Sequence, residues 1–62
     1  MNRIRELRKA QNLSQQELAV KIGVDRSTIA KWETETNCPR TDKLRQLAKI
    51  LDCSVEELLP NS

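Results

Sequence analysis

The chain has 62 residues, a length that allows one domain, so we expect a single domain spanning residues 1–62. Of these residues 37% are hydrophobic and 32% are charged, and the formal net charge is +2. Histidine is absent, which excludes histidine-based acid, base and metal chemistry, and two cysteines are too few for a disulfide framework or a structural zinc site. The longest apolar run, Leu18–Val20, is far too short to cross a bilayer, so we expect a cytoplasmic protein. We expect both thiols to be free in that reducing compartment, and we expect no metal and no cofactor.

Two helices are predicted before the only glycine. Ile4 and Leu7 lie three residues apart among good helix formers and predict a first helix over about residues 2–11. The segment Ser14–Glu17 has the pattern of a capping box, in which the serine hydroxyl accepts from the glutamate N–H and the carboxylate reaches back. This box predicts the start of a second helix that runs to about Ile22.

A tight turn and a third helix are predicted next. Gly23 is the only glycine, and it stands where the second helix must leave through a left-handed residue. Asp25 is placed to be the N-cap of a third helix over about residues 26–34.

Two more helices complete the predicted fold. Residues 34–40 are polar and contain a proline, which predicts a loop, and Thr41 opens a fourth helix. Its apolar residues have helical spacing: Leu44, Leu47, Ala48 and Leu51. A second capping box, Ser54–Glu57, predicts a short fifth helix that Pro60 closes. No segment alternates with a period of two for long enough to be a strand, so the predicted fold is all-α with five helices.

A helix-turn-helix is predicted over about residues 15–34, formed by helices 2 and 3. Such a corner needs a small residue where the helices touch, a residue that tolerates positive φ at the turn, and apolar anchors on the third helix. Residues of these types occupy positions 1, 5, 9, 15 and 18 of a twenty-residue frame: Gln15, Ala19, Gly23, Ile29 and Trp32.

The side of helix 3 opposite Ile29 and Trp32 is polar and basic, and we call it the α3 outer face: Arg26, Ser27, Thr28, Ala30 and Lys31. Residues 1–31 hold seven Lys or Arg and three acids, whereas residues 32–62 hold four and six. This asymmetry indicates a polyanionic partner, and a single helix fits the DNA major groove. The alternative is an ordinary solvated surface of mixed charge.

Four motifs resemble the Cro/repressor, or XRE-type, helix-turn-helix family of phage and bacterial transcriptional regulators. They are Leu13–Ala19, Ile22–Val24, Ile29–Glu33 and Ser54–Leu59. The resemblance implies a compact five-helix, repressor-like DNA-binding domain that is bacterial or phage-encoded and acts in the cytoplasm at the nucleoid.

The resemblance also implies roles for individual residues. Residues expected to face base edges are Arg26, Ser27, Thr28 and Lys31. Residues expected to hold phosphates are Gln15, which would also brace the start of helix 3, and Asn37, Arg40 and Lys43. Arg8 and Glu33 match a structural ion pair that ties helix 1 to helix 3. The chain departs from the family pattern at Glu35 and Asp52, where glycine is usual, so the loop after helix 3 is expected to differ in shape.

The main hypothesis is a sequence-specific DNA-binding transcriptional regulator, a repressor, that inserts helix 3 into the major groove of double-stranded DNA. One module of this size covers few bases, so we expect a homodimer on a near-palindromic operator, with Ile50 and Leu59 contributing to the dimer surface. The alternative is a protein-interaction module, such as an antitoxin or anti-repressor. No nucleophile–base pair can be assembled for an enzyme, and the sequence gives no sign of a membrane partner or a small-molecule effector.

Overall fold

Helices make up most of the part of the chain that the structure describes, residues 3–59 of a computed structural model. They are α1 (Ile4–Ala10), α2 (Gln15–Ile22), α3 (Arg26–Glu33), α4 (Thr41–Leu51) and α5 (Val55–Leu58). Residues 3–59 contain no strand, which confirms the all-α prediction. Helix α1 is shorter than the predicted 2–11, and α3 ends one residue before the predicted 34. Pro60 lies outside the described residues.

Both predicted capping boxes are confirmed. The Ser14 hydroxyl accepts from the Glu17 N–H at 3.0 Å, and the Glu17 carboxylate accepts from the Ser14 N–H at 2.9 Å. Ser54 and Glu57 repeat this exchange at the start of α5. Asp25 holds the N-cap position of α3 in extended conformation, but its side chain makes no capping hydrogen bond. Helix α3 therefore begins without the side-chain cap that α2 and α5 have.

The first four helices end in the same way, with one residue in the left-handed region and a backbone hydrogen bond spanning it. At the end of α2 this residue is Gly23 (φ 85°), as predicted, and the Val24 N–H reaches the Ala19 carbonyl at 3.0 Å. The equivalent residues after α1, α3 and α4 are Asn12, Glu35 and Asp52, with φ between 55° and 62°. The loop after α3 thus keeps the turn that glycine would favour, at a torsional cost.

The core is formed by apolar residues from all five helices. Its buried members are Ile4, Leu18, Ala19, Ile22, Ile29, Trp32, Leu47, Leu51 and Leu58. Helices α2 and α3 pack together, and Ala19 allows their close approach at the corner. On α4, Leu47 and Leu51 are fully buried, whereas Leu44 and Ala48 are half-buried at the margin. This packing holds one side of α3 inside and leaves the other exposed.

Candidate nucleic-acid interface

The α3 outer face lies at the surface because Ile29 and Trp32 anchor the opposite side of the helix in the core. Arg26, Ser27 and Lys31 are exposed, and Thr28 and Ala30 are half-buried. Neither Arg26 nor Lys31 makes an ion pair or a side-chain hydrogen bond within residues 3–59. Their donors are therefore available to an external anion.

A buried ion pair fixes the end of α3. The Arg8 Nε donates to Glu33 Oε2 at 2.6 Å, and the two side chains are only 9% and 5% exposed. Arg8 also donates from Nη1 to the Leu13 carbonyl at 2.8 Å. No buried side-chain nitrogen or oxygen among the described residues lacks a hydrogen-bond partner, so the pair is fully hydrogen-bonded in its low-dielectric setting.

Gln15 also contacts the end of α3. Its Nε2 donates to Glu33 Oε1 at 3.1 Å, so Glu33 is tied to α1 through Arg8 and to α2 through Gln15. The expectation that Gln15 braces the start of α3 is wrong. Gln15 stands at the first position of α2, and its side-chain hydrogen bond goes to Glu33, the last residue of α3.

The predicted phosphate residues of the loop and α4 have different environments. Asn37 and Arg40 are exposed, whereas Lys43 is half-buried and its Nζ donates to the Ile22 carbonyl at 3.4 Å. This bond satisfies a carbonyl at the end of α2 and ties α4 to the turn that carries Gly23. Lys43 therefore has an intramolecular partner that the sequence did not reveal.

An open groove of about 590 Å³ runs between α3 and the facing parts of α1 and α2. Its walls include three arginines, Arg5, Arg8 and Arg26, together with Gln15, Ala30 and Glu33. Arg5 was not among the residues predicted from the sequence. The signal was present, because Arg5 lies three residues before Arg8 and therefore on the same side of α1.

Residues 3–59 contain no group of three or more Cys, Asp or Glu that could hold a metal ion. No helix in this part of the chain is long and apolar enough to span a membrane. The exposed thiol of Cys38 and the half-buried thiol of Cys53 are both free. Desolvation by burial is the main cause that raises the pKa of the Cys53 thiol, and the nearby Glu57 charge is the second.

Helices α2 and α3 pack together, are joined by the turn at Gly23, and leave a basic side of α3 exposed. This arrangement is that of a helix-turn-helix module. The chain belongs to the XRE-type helix-turn-helix family, a non-enzymatic DNA-binding class, and the Helix-turn-helix family profile matches residues 4–58. This membership confirms the resemblance seen in the four sequence motifs.

Three curated relatives show how this chain compares with longer proteins. An uncharacterized HTH-type transcriptional regulator, YobD of Bacillus subtilis strain 168, is 44% identical over 57 residues, which are 92% of this chain and 51% of that protein. The cryptic phage CTXphi transcriptional repressor RstR of Vibrio cholerae is 34% identical over 61 residues, 98% of this chain and 55% of that protein. The transcriptional activator BcrR of Enterococcus faecalis is 33% identical over 57 residues, 92% of this chain and 28% of that protein. The chain thus spans about half or less of the length of these relatives.

Proposed function

We propose that residues 1–62 form a sequence-specific DNA-binding unit of a transcriptional regulator that inserts α3 into the major groove. The observation that carries this proposal is the α3 outer face, where Arg26, Ser27 and Lys31 are exposed while the opposite side of the helix is anchored in the core. The helix is about 12 Å long, and the major groove is about 12 Å wide and admits one helix. The relatives are named as regulators of transcription, which supports the same function for this chain.

Arg26 and Lys31 are the proposed base-specific donors. Either side chain donates well to guanine O6 and N7, the commonest specific contact in the major groove, which contributes ~1–3 kcal/mol of discrimination against the wrong base. Ser27 and Thr28 supply hydroxyls beside them, and Ala30 lets the helix approach closely because its side chain is small.

The proposed phosphate contacts come from the start of α2 and from the loop and helix that follow α3. Asn37 and Arg40 are exposed and can bind the backbone without giving up an internal side-chain partner within the described residues. Gln15 and Lys43 each use one donor internally, on Glu33 and on the Ile22 carbonyl, and retain further N–H groups for a phosphate. These contacts set the position of α3 on the duplex and carry no sequence information themselves.

We further propose that the regulator acts at the nucleoid as a homodimeric repressor on a near-palindromic operator, because one α3 covers too few base pairs for a high specificity ratio. Leu59 is 45% exposed and is the better of the two predicted dimer residues. Ile50 is half-buried and packs against the core, so it offers less surface than Leu59.

The test is selection of bound sites from random duplexes, followed by binding titrations of the selected site. Arg26→Ala and Lys31→Ala are each expected to weaken binding to that site by about 5- to 150-fold, as expected for loss of a specific contact. Lys49→Ala is the matched control, because Lys49 is an exposed cation in the last turn of α4, about 13 Å along the helix from Arg40. Unchanged binding by both α3 variants would show that the α3 outer face does not contact DNA.

The alternative of a protein-interaction module is favoured by two exposed apolar side chains, Val20 at 69% and Leu59 at 45%. The two functions differ in their salt dependence, because DNA binding displaces condensed counterions and weakens steeply as salt rises. A chain that ignores duplexes of every sequence at low salt and binds a protein instead would support the alternative.

A further inference from the structure

The groove between α3 and the facing parts of α1 and α2 is a second feature of the basic side of the molecule. Arg5 and Arg8 come from α1, Gln15 from α2, and Arg26, Ala30 and Glu33 from α3. The groove shares Arg26 and Ala30 with the α3 outer face, so it is continuous with the proposed DNA-binding surface.

The charges of the groove do not cancel. Arg8 and Glu33 neutralise each other in the buried pair, and Arg8 has further committed Nη1 to the Leu13 carbonyl. Arg5 is exposed and makes no ion pair or side-chain hydrogen bond within residues 3–59. Together with Arg26 it leaves the groove with two uncompensated guanidinium groups, the side chain best suited to phosphate.

We propose that a backbone phosphate of the same duplex lies in this groove and is held by Arg5. The inference rests on the proposed function. A helix with its side chains is about 10–12 Å across and fills the major groove, so a sugar–phosphate backbone runs along each side of it. The groove borders α3 on the side of α1 and α2, where one of these backbones passes. Arg5 is thus a DNA-binding residue supplied by α1, outside the helix-turn-helix itself.

The test compares Arg5→Gln with wild type on a duplex of about two helical turns at several salt concentrations. Loss of one phosphate contact is expected to reduce the slope of log K against log salt by about 0.9 and to weaken binding about 5-fold at ~0.15 M salt. The loss should be equal for a selected site and for a duplex of unrelated sequence, because phosphate contacts carry no sequence information. Arg5→Lys retains the charge and should keep the wild-type slope, and Lys49→Gln is the control for an exposed cation elsewhere.

A second measurement locates the contact. Neutral methylphosphonates replace the backbone phosphates of the duplex one at a time, and one of them should weaken wild type while leaving Arg5→Gln unaffected. An unchanged salt slope in Arg5→Gln would overturn this inference while leaving the proposed function intact, provided that Arg26→Ala and Lys31→Ala still lose binding. If wild type itself shows no salt-dependent DNA binding, the proposed function fails first. Arg5 is exposed, so both substitutions are expected to leave the thermal unfolding transition unchanged.

Discussion

Removing the charge of Glu33 while keeping its shape is expected to destabilise the fold strongly. In Glu33→Gln the guanidinium of Arg8 stays buried beside a neutral amide, and it loses the carboxylate oxygen that Nε contacts at 2.6 Å. Breaking a buried pair by removing one partner costs about 3–5 kcal/mol. A domain of this length has a total stability of roughly 3–9 kcal/mol, so the loss is a large part of the whole. The melting temperature should fall by more than ~12 °C.

Urea unfolding followed by the fluorescence of Trp32 measures this loss directly, because Trp32 is the only tryptophan and lies in the core. The double variant Arg8→Met/Glu33→Leu should recover at least half of the loss, since it removes both buried charges together. Glu6→Gln is the control. Its partner Arg3 is 3.6 Å away in an exposed pair, and the expected cost is below about 0.5 kcal/mol. A Glu33→Gln variant within about 1 kcal/mol of wild type would refute the reasoning, as would a double variant no more stable than Glu33→Gln.

Three further predictions concern other parts of the chain. Glu35→Gly should have a free energy of unfolding about 1 kcal/mol higher than Glu35→Ala in the same urea titration, because both variants lose the same side chain and only glycine adopts φ 62° without strain. Hydrogen bonds from the Ser14 N–H and, second, from the Ser14 hydroxyl lower the pKa of Glu17. The Glu17 charge therefore stabilises the fold fully above the ordinary carboxyl pKa, and this stabilisation is lost as pH falls through the lower pKa of the folded state. Glu17→Gln should be less stable than wild type near neutral pH, and the two stabilities should converge in acid. Iodoacetamide should alkylate the exposed Cys38 faster than Cys53, whose thiol is half-buried and has a raised pKa, and equal rates measured by mass spectrometry would contradict this.

Local signals in the sequence were sufficient to predict the helices and the corner. A capping box needs only residues three positions apart, so Ser14 and Ser54 located the starts of α2 and α5. Gly23 located the end of α2 for the same reason, because positive φ is a property of one residue. The apolar spacing of α3 determined which side faces the core, and therefore which side chains the helix presents to solvent.

Contacts between helices were beyond these local signals. The bond from Gln15 to Glu33 joins residues 18 positions apart, and the bond from Lys43 to the Ile22 carbonyl joins residues 21 apart. Their geometry depends on how α2 packs on α3 and α4, which no short sequence pattern encodes. The groove that brings Arg5 beside α3 is likewise a product of packing. The family resemblance predicted the Arg8–Glu33 pair, but no signal in the sequence predicted the internal partners of Gln15 and Lys43.

The anchoring of α3 separates the residues that hold the helix from those that face outward. An isolated helix of eight residues is marginal in water, so α3 depends on Ile29 and Trp32 in the core and on the pinning of Glu33 at its end. Arg26 and Lys31 take no part in this anchoring, because they are exposed and have no internal ion pair among the described residues. Substitutions at these two positions should therefore change DNA affinity while leaving the urea midpoint almost unmoved. Under the proposed function, the base preference of α3 would change without loss of the packing that holds the helix in place.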